Sequence, residues 1–404
     1  MKSSSPRTHD QPLAWHILTC EYPPQTGGVS DYTYAVAAGL AAKGDEVHVW
    51  CPDCPGPQPQ AEGVIVHREL GAFRPSDLRR AGRQLDQYPA PRRILMQWVP
   101  HGYGYRSMNL AFCGWLWARA TRHRDRVEVM AHEVYHSFRA GLHRQNIAAL
   151  MHRLMSILLL NASDRVWVSI PAWERRWRPY RLGRAIPFEW LPVPSNIAVV
   201  DLPERALAIR RRYVGDGVFL IGHFGTFGPP IASLLDPLLV ALAAEPVSQS
   251  VLLMGRGSEE YRQVMIRKHP GMAGWLQAAG PLGAQDLSSH IAACDVLIQP
   301  YPDGVSSRRG SLMAGLSHGK PIVTTVGSLT EDCWAAAGVV PLAQVGNVNQ
   351  FVGFVDALRA QPAERERLGR AAQNFYRERF DVQHVITALR AAAWKPVGEG
   401  IRLA

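Results

Sequence analysis

A chain of 404 residues is too long for one ordinary core and reads as two domains, each large enough to bury its own. Its 47% hydrophobic and 19% charged residues exclude a disordered chain, and a formal net charge of +10 directs attention to anionic partners: phosphorylated small molecules, phospholipid or nucleic acid. Met1 to Gln11 is polar without the apolar core of a secretory signal, and no run approaches the roughly 18 apolar residues of a membrane span, so a cytoplasmic location is expected.

Short β-branched runs then alternate with longer amphipathic stretches, the rhythm of strands and helices around a parallel sheet. In the first half, strands are expected at 15–20, 46–51, 63–67, 93–97, 127–130 and 165–169. A helix fits 30–43, with Ser30 as its N-cap and Gly44 as its stop. Three prolines within 188–199 (FEWLPVPSNIAV) mark a passage into a second domain. Further strands are expected at 218–223, 250–254, 295–299 and 321–325, and 363–394 is helical text rich in Arg and Glu. The fold class is α/β, with two Rossmann-like domains whose parallel sheets face a cleft. The divisions expected are a disordered tail at 1–11, domains at 12–195 and 196–375, and a closing helix within 376–404 that returns to the first domain.

Six scattered cysteines are too sparse for a disulfide scaffold, and Cys51-Pro52-Asp53-Cys54 reads as chance spacing. No metal site is expected.

After the first strand comes Glu21-Tyr22-Pro23-Pro24-Gln25-Thr26-Gly27-Gly28-Val29-Ser30. A glycine pair before a helix N-terminus lets bare amides approach an anion, although a tight turn reads the same way. The densest signal runs from Gln299 through Asp303, Ser306, Ser307, Arg308, Arg309, Gly310 and Ser311 to Thr325. There a strand ends, a helix is expected to start near Ser306 or Ser307, and Gly319-Lys320-Pro321 stops it. Amides, two hydroxyls and two guanidinium groups at one helix tip suit a diphosphate; as an isolated pair, the arginines read equally as solvated helix residues.

The span from strand to strand resembles the donor segment of glycosyltransferase family 4, in which a Glu-x7-Glu pair precedes a small-residue helix and a Gly-x-Pro-Val-Val strand. Gly319-Lys320-Pro321-Ile322-Val323 matches that ending, while the two glutamate positions fall on Ser306 and Ala314. The resemblance extends to Gly27-Gly28, His132-Glu133 after the strand VEVM, the strand at Ser163–Ser169, the passage LPVPSNI, the turn Gly255-Arg256-Gly257 and the loop Gly280-Pro281-Leu282. It implies the GT-B fold, a nucleoside-diphosphate sugar as donor, transfer to a hydroxyl acceptor with retention of configuration, and no cofactor or metal. Under it the first domain takes the acceptor and the second the donor.

By the same resemblance, Gly27, Gly28, Asp303, Ser306, Ser307, Arg308, Arg309, Gly310 and Ser311 touch the donor, with Pro281 and Leu282 at the base. His132, with Glu133, faces the donor sugar. The family's Arg and Lys after the first strand of the second domain are replaced by Gly222-His223-Phe224-Gly225-Thr226. Arg308 and Arg309 are therefore expected to carry the diphosphate charge, with His223, Gly225 and Thr226 as further contacts, and Asp303, Ser306 and Ser311 as replacements for the glutamates.

On the acceptor side, Tyr32 and the glycine and aromatic loop with Tyr103 and Arg106 are candidates, although a plain surface loop reads equally well. Trp173 to Arg184 mixes tryptophans with arginines, a pattern suited to anionic headgroups at a membrane face or to a solvated basic helix with packed Trp. Rival readings are a GT-B epimerase or phosphorylase and a sugar-nucleotide-binding or assembly protein without catalysis. Nucleic acid is not expected as a partner, since no reading motif accompanies the charge.

Overall fold

The computed structural model describes residues 13–392 except 60, 142, 143 and 246. The chain forms two compact units: one from the described residues up to Pro192 and from Val382 onward, the other Val193–Asp381.

Seven parallel strands make the sheet of the first unit: β1 (Ala14–Leu18), β2 (Glu46–Trp50), β3 (Val64–His67), β4 (Arg93–Trp98), β5 (Arg126–Ala131), β6 (Arg165–Val168) and β7 (Phe188–Trp190). Their order is β3-β2-β1-β4-β5-β6-β7. Helices α1 (Gly28–Ala41), α2 (Pro75–Leu85), α3 (Leu110–Arg122), α4 (Arg144–Ala162) and α5 (Pro171–Trp177) complete its crossovers. Parallel crossovers put helices on both faces of a sheet, so central strands must be apolar throughout rather than alternating. Strand β4 accordingly buries every residue, including Arg93, which is paired with Glu128 at 2.6 Å and lies over the Trp15 ring.

The second unit contains α6 (Pro203–Tyr213), β8 (Phe219–Phe224), α7 (Pro229–Ala244), β9 (Gln249–Met254), α8 (Ser258–Lys268), β10 (Leu276–Ala278) and α9 (Ala284–Ala293). It continues with β11 (Val296–Gln299), α10 (Gly310–Ser317), β12 (Ile322–Val326), α11 (Asp332–Ala337), β13 (Leu342–Gln344), α12 (Val348–Ala360) and α13 (Pro362–Arg379). Its sheet order is β10-β9-β8-β11-β12-β13, all parallel, over a core that includes Ile221, Leu239, Val251, Met265, Ile298, Val323 and Phe351.

Helix α14 (Val382–Ala391) belongs to the first unit. Gly39 leaves room on α1 for Ile386, Arg390 pairs with the buried Asp45 at 3.2 Å, and the Leu389 carbonyl accepts from Arg93 Nη2 at 2.9 Å. The closing helical text is thus two helices, broken at Phe380-Asp381.

Three short strands, β7, β10 and β13, were not expected from sequence. Each has three residues, too few to build a periodicity. Helix α1 begins at Gly28 rather than after Ser30, whose hydroxyl instead donates to the Gln25 carbonyl at 2.6 Å from inside the first turn. In both sheets the strand order reverses at one central pair, β1/β4 and β8/β11. The crevice beyond the carboxyl ends of such a pair is where open α/β sheets hold ligands.

Candidate functional site

In the second unit, β8 and β11 deliver His223 and Tyr301 to that crevice. His223 is 2% exposed, and its Nδ1 donates to the Ile298 carbonyl at 2.8 Å, so Nε2 carries the lone pair. Nε2 has no hydrogen-bond partner among the described residues. A Cβ built on Gly225 would stand 3.7 Å from that nitrogen and 3.9 Å from Ser311 Oγ, so the glycine keeps this corner open. Burial pushes the His223 pKa down to about 4; the ring is neutral at pH 7 and its free nitrogen can only accept.

From Ser311 the constellation continues outward. Ser311 Oγ and Tyr301 Oη are 2.8 Å apart, and the Arg309 guanidinium lies 4.6 Å over the Tyr301 ring. Arg308 and Arg309 both pair with Asp303, one on each carboxylate oxygen. Three charges therefore sum to about +1. Arg309 Nε and Ser306 Oγ are buried without hydrogen-bond partners among the described residues. Native structures leave few such groups, so each of these calls for a partner such as water or a ligand.

The helix expected from Ser306 or Ser307 starts at Gly310. Gly304 turns through φ +85° against the backbone of Gly327, and Glu331 then captures the segment that follows. Its carboxylate accepts from Ser307 N at 3.0 Å, from the Ser307 hydroxyl, and from Trp334 Nε1 at 2.8 Å. Glu331 was not singled out in the sequence; 24 residues separate it from Ser307, and only the adjacency of β11 and β12 unites them. Replacing Glu331 with Gln should cost about 1–2 kcal/mol in urea denaturation, because these three charge-assisted bonds become neutral or unmade.

Gly225 continues into the exposed Thr226. The turn at Gly255 meets Gly225: a Cβ at Gly255 would fall 2.5 Å from the Gly225 carbonyl oxygen, and its φ of +118° also favours glycine. Gly255 N donates to the Gly280 carbonyl at 3.1 Å, which brings the Pro281-Leu282 loop onto the same rim, two strands away from β8.

In the first unit, His132 follows β5. Its Nε2 is 2.9 Å from Gln97 Oε1, its ring meets Tyr32 edge-on at 4.8 Å, and its carbonyl accepts from Trp173 Nε1 at 2.8 Å. Burial pushes its pKa down to about 3. The His132 ring is therefore neutral at pH 7 and meets its surroundings as a hydrogen-bonding group. Glu133 is half-exposed, 3.8 Å from His101 Nδ1.

The glycine pair behaves differently from its reading as an open anion seat. The Glu21 carboxylate accepts from Val29 N and Ser30 N, both at 3.0 Å, and so caps α1 itself. Gly27 is extended at φ −176°; glycine is needed because a Cβ would run into that carboxylate. Gly27 thus makes room for Glu21, while a Cβ at Gly28 would meet nothing.

Both acceptor-side tyrosines are buried. Tyr103 is fully buried, stacked on Trp98 and Phe112 with its hydroxyl donated to the Gln97 carbonyl, and Tyr32 is 3% exposed against His132. Tyr105 is the ring that reaches the surface. With Cys20, Phe73, Arg74, Gly102 and Gly104 it lines a pocket of about 400 Å3 beyond β1 and β4. Phe73, Tyr105, Arg106 and Ser107 all hold positive φ between 48° and 73°, backbone strain of the kind that functional loops retain. Arg106 is exposed beside this rim.

Trp173 and Trp177 are core residues too; Trp177 Nε1 donates to Ser156 Oγ at 2.9 Å. Neither can anchor in lipid. Among the described residues, no group of three or more His, Cys, Asp or Glu side chains could hold a metal ion, and no helix is long and apolar enough to cross a membrane. Cys51 and Cys54 are free thiols, and the expected tail at 1–11 lies outside the described residues.

Residues 26–186 match the family model for Glycosyltransferase Family 4. Sequence comparison with curated proteins finds no match. Among solved structures, the chain resembles sucrose-phosphate synthase from Thermosynechococcus elongatus, with a TM-score of 0.72 at 16% identity over 94% of this chain and 97% of that one. HepE from Anabaena, in complex with UDP and glucose, gives 0.68 at 14% identity over 95% and 99%. A glycosyltransferase from Rickettsia africae gives 0.70 at 11% identity over 94% and 97%. Two parallel sheets with these orders and likeness along nearly the whole length lead to one conclusion: the chain has the GT-B fold, and residues 26–186 of its first unit match the Glycosyltransferase Family 4 model.

Proposed function

We propose that the chain transfers a sugar from a nucleoside diphosphate sugar to a hydroxyl acceptor, with retention of anomeric configuration and without a bound metal. The observation that carries this reading is the set of buried, unsatisfied polar atoms at the β8/β11 crevice: His223 Nε2, Ser306 Oγ and Arg309 Nε. Their chemistry is mixed in the way such a donor requires. The arginines and Ser306 offer hydrogens to phosphate oxygens, whereas the lone pair of neutral His223 suits a sugar hydroxyl and disfavours phosphate. UDP is the first nucleotide to try, since a solved structure of the same fold holds UDP and glucose.

Transfer breaks the bond between the anomeric carbon and the distal phosphate oxygen, and a bond to the acceptor oxygen forms. Charge builds on the departing phosphate, where Arg308 and Arg309 stabilise it more strongly than in the ground state. The acceptor proton passes to that phosphate, as the family resemblance implies. His132, neutral and held by Gln97, hydrogen-bonds the donor sugar. The pocket rimmed by Phe73, Arg74 and Tyr105 takes the acceptor. Pro281 and Leu282 face the base.

A second reading, nucleotide-sugar binding without turnover, draws on the missing carboxylates at Ser306 and Ala314 and on Asp303 being engaged by two arginines. Calorimetry with UDP and GDP, followed by release of nucleoside diphosphate from UDP-glucose across an acceptor panel, separates the two. Binding with acceptor-dependent release is expected; binding with no release from any acceptor favours the second reading, and no binding of either nucleotide defeats both.

A further inference from the structure

Helix α4 carries its aliphatic residues on the wrong side for a soluble core. Ile147, Leu150 and Leu154 are 62%, 53% and 42% exposed, and Met151 and Leu158 are partly so. At 3.6 residues per turn these five fall within one arc of about 100°. Phe138, 54% exposed, extends the face, with the Arg153 guanidinium 4.0 Å over its ring. Contiguous exposed aliphatics of this kind are rare on a monomer surface and mark an interaction site.

The charge around the stripe is of one sign. From Val134 to Arg184 the sequence has nine arginines against two acidic residues, Asp164 and Glu174. Arg139, Arg144 and Arg175 are exposed. The short turn Arg178–Arg181 packs on α4, and Arg184 Nη1 donates to the Leu160 carbonyl at its C-terminal end at 2.7 Å.

We propose that this face docks α4 in the plane of an anionic phospholipid surface, its aliphatics at the boundary of headgroup and acyl chain and its arginines on the lipid phosphates. Charge selects this occupant over a second copy of the chain, because two such faces would oppose arginine to arginine. The buried side of the same helix bears His152, whose Nε2 donates to the Ser107 carbonyl at 2.8 Å. The docked helix therefore also holds the Tyr105–Ser107 rim of the first unit's pocket, and an acceptor borne on lipid would meet that rim at the bilayer surface. Docking itself does not depend on the sugar-transfer reading, and its readout involves no turnover.

The test is co-sedimentation of the full chain at low salt with vesicles of phosphatidylcholine alone or mixed with phosphatidylglycerol. Binding is expected only to the mixed vesicles, to weaken as salt screens the arginines, and to fall about tenfold or more in a variant carrying I147S, L150S and L154S. These positions are exposed, so thermal melting should match the parent, and a variant with Arg144→Gln and Arg175→Gln should lose affinity as well. Absence of binding at low salt, equal binding by the serine variant, or self-association of the parent that the serine changes abolish would each overturn the proposal.

Discussion

Between pH 6.5 and pH 5 the first unit should lose about 5 kcal/mol of stability, a large share of what holds a typical domain. Three of its histidines are almost wholly buried, His16, His132 and His152, with pKa values pushed down to about 3, 3 and 4 chiefly by burial. In an unfolded chain each would titrate near 6.5. Below that pH the unfolded state binds protons that the folded state refuses, so the stability present above 6.5 is lost progressively as pH falls toward the folded values. Each group contributes about 1.6 kcal/mol over that range, and three together reach the lower end of a typical domain's stability. The half-buried His67, with Nε2 3.0 Å from His48 Nδ1, is pushed down to about 4 and moves in the same direction, with solvent screening its contribution.

Nine of the twelve tryptophans precede Pro192, so indole fluorescence during urea unfolding reports mainly on this unit. Its midpoint should fall steeply from pH 6.5 to pH 5. A midpoint constant across that range would mean that these rings are solvated in the native protein.

The strands of both sheets were legible because a parallel sheet buried on two faces needs uninterrupted apolar runs, as RILMQ and SVLLM show. His132 was legible for a related reason: a histidine directly after such a run lies at the carboxyl edge of the sheet. Its partner Gln97 was not, since β4 meets β5 only through sheet pairing.

In the loop Gly102-Tyr103-Gly104-Tyr105, sequence does not distinguish the buried ring from the exposed one. Each follows a glycine, and the choice is made by packing against Trp98 and Phe112. Arg308 and Arg309 stood out as a pair, but the carboxylate that positions both was read as a replacement glutamate. The cap of Glu21 on α1 was hidden by the glycine pair: the amides of Val29 and Ser30 that suggest an empty anion seat are already taken by Glu21, and Gly27 is the glycine that its carboxylate requires.

Replacing Arg309 with alanine should weaken UDP binding about tenfold to 100-fold, the equivalent of roughly 1.5–3 kcal/mol for a charge-assisted hydrogen bond, and should lower kcat/KM by at least as much. The argument is one of charge. Asp303, Arg308 and Arg309 together hold about one positive charge, and alanine at 309 leaves a neutral pair facing a diphosphate. It also removes the buried Nε that has no partner within the protein, and the cation over Tyr301.

Asp303→Asn works in the opposite direction. The site then holds about two positive charges, so UDP should bind at least as tightly as to the parent. Turnover should nevertheless fall, because the arginines lose the carboxylate that aims them and the crevice loses its candidate for the absent glutamates. A simple surface role for Asp303 would leave both quantities unchanged. Calorimetry with UDP and turnover of UDP-glucose on the three proteins separate these outcomes. Parent-like affinity in both Arg308→Ala and Arg309→Ala would show that the diphosphate charge is met elsewhere.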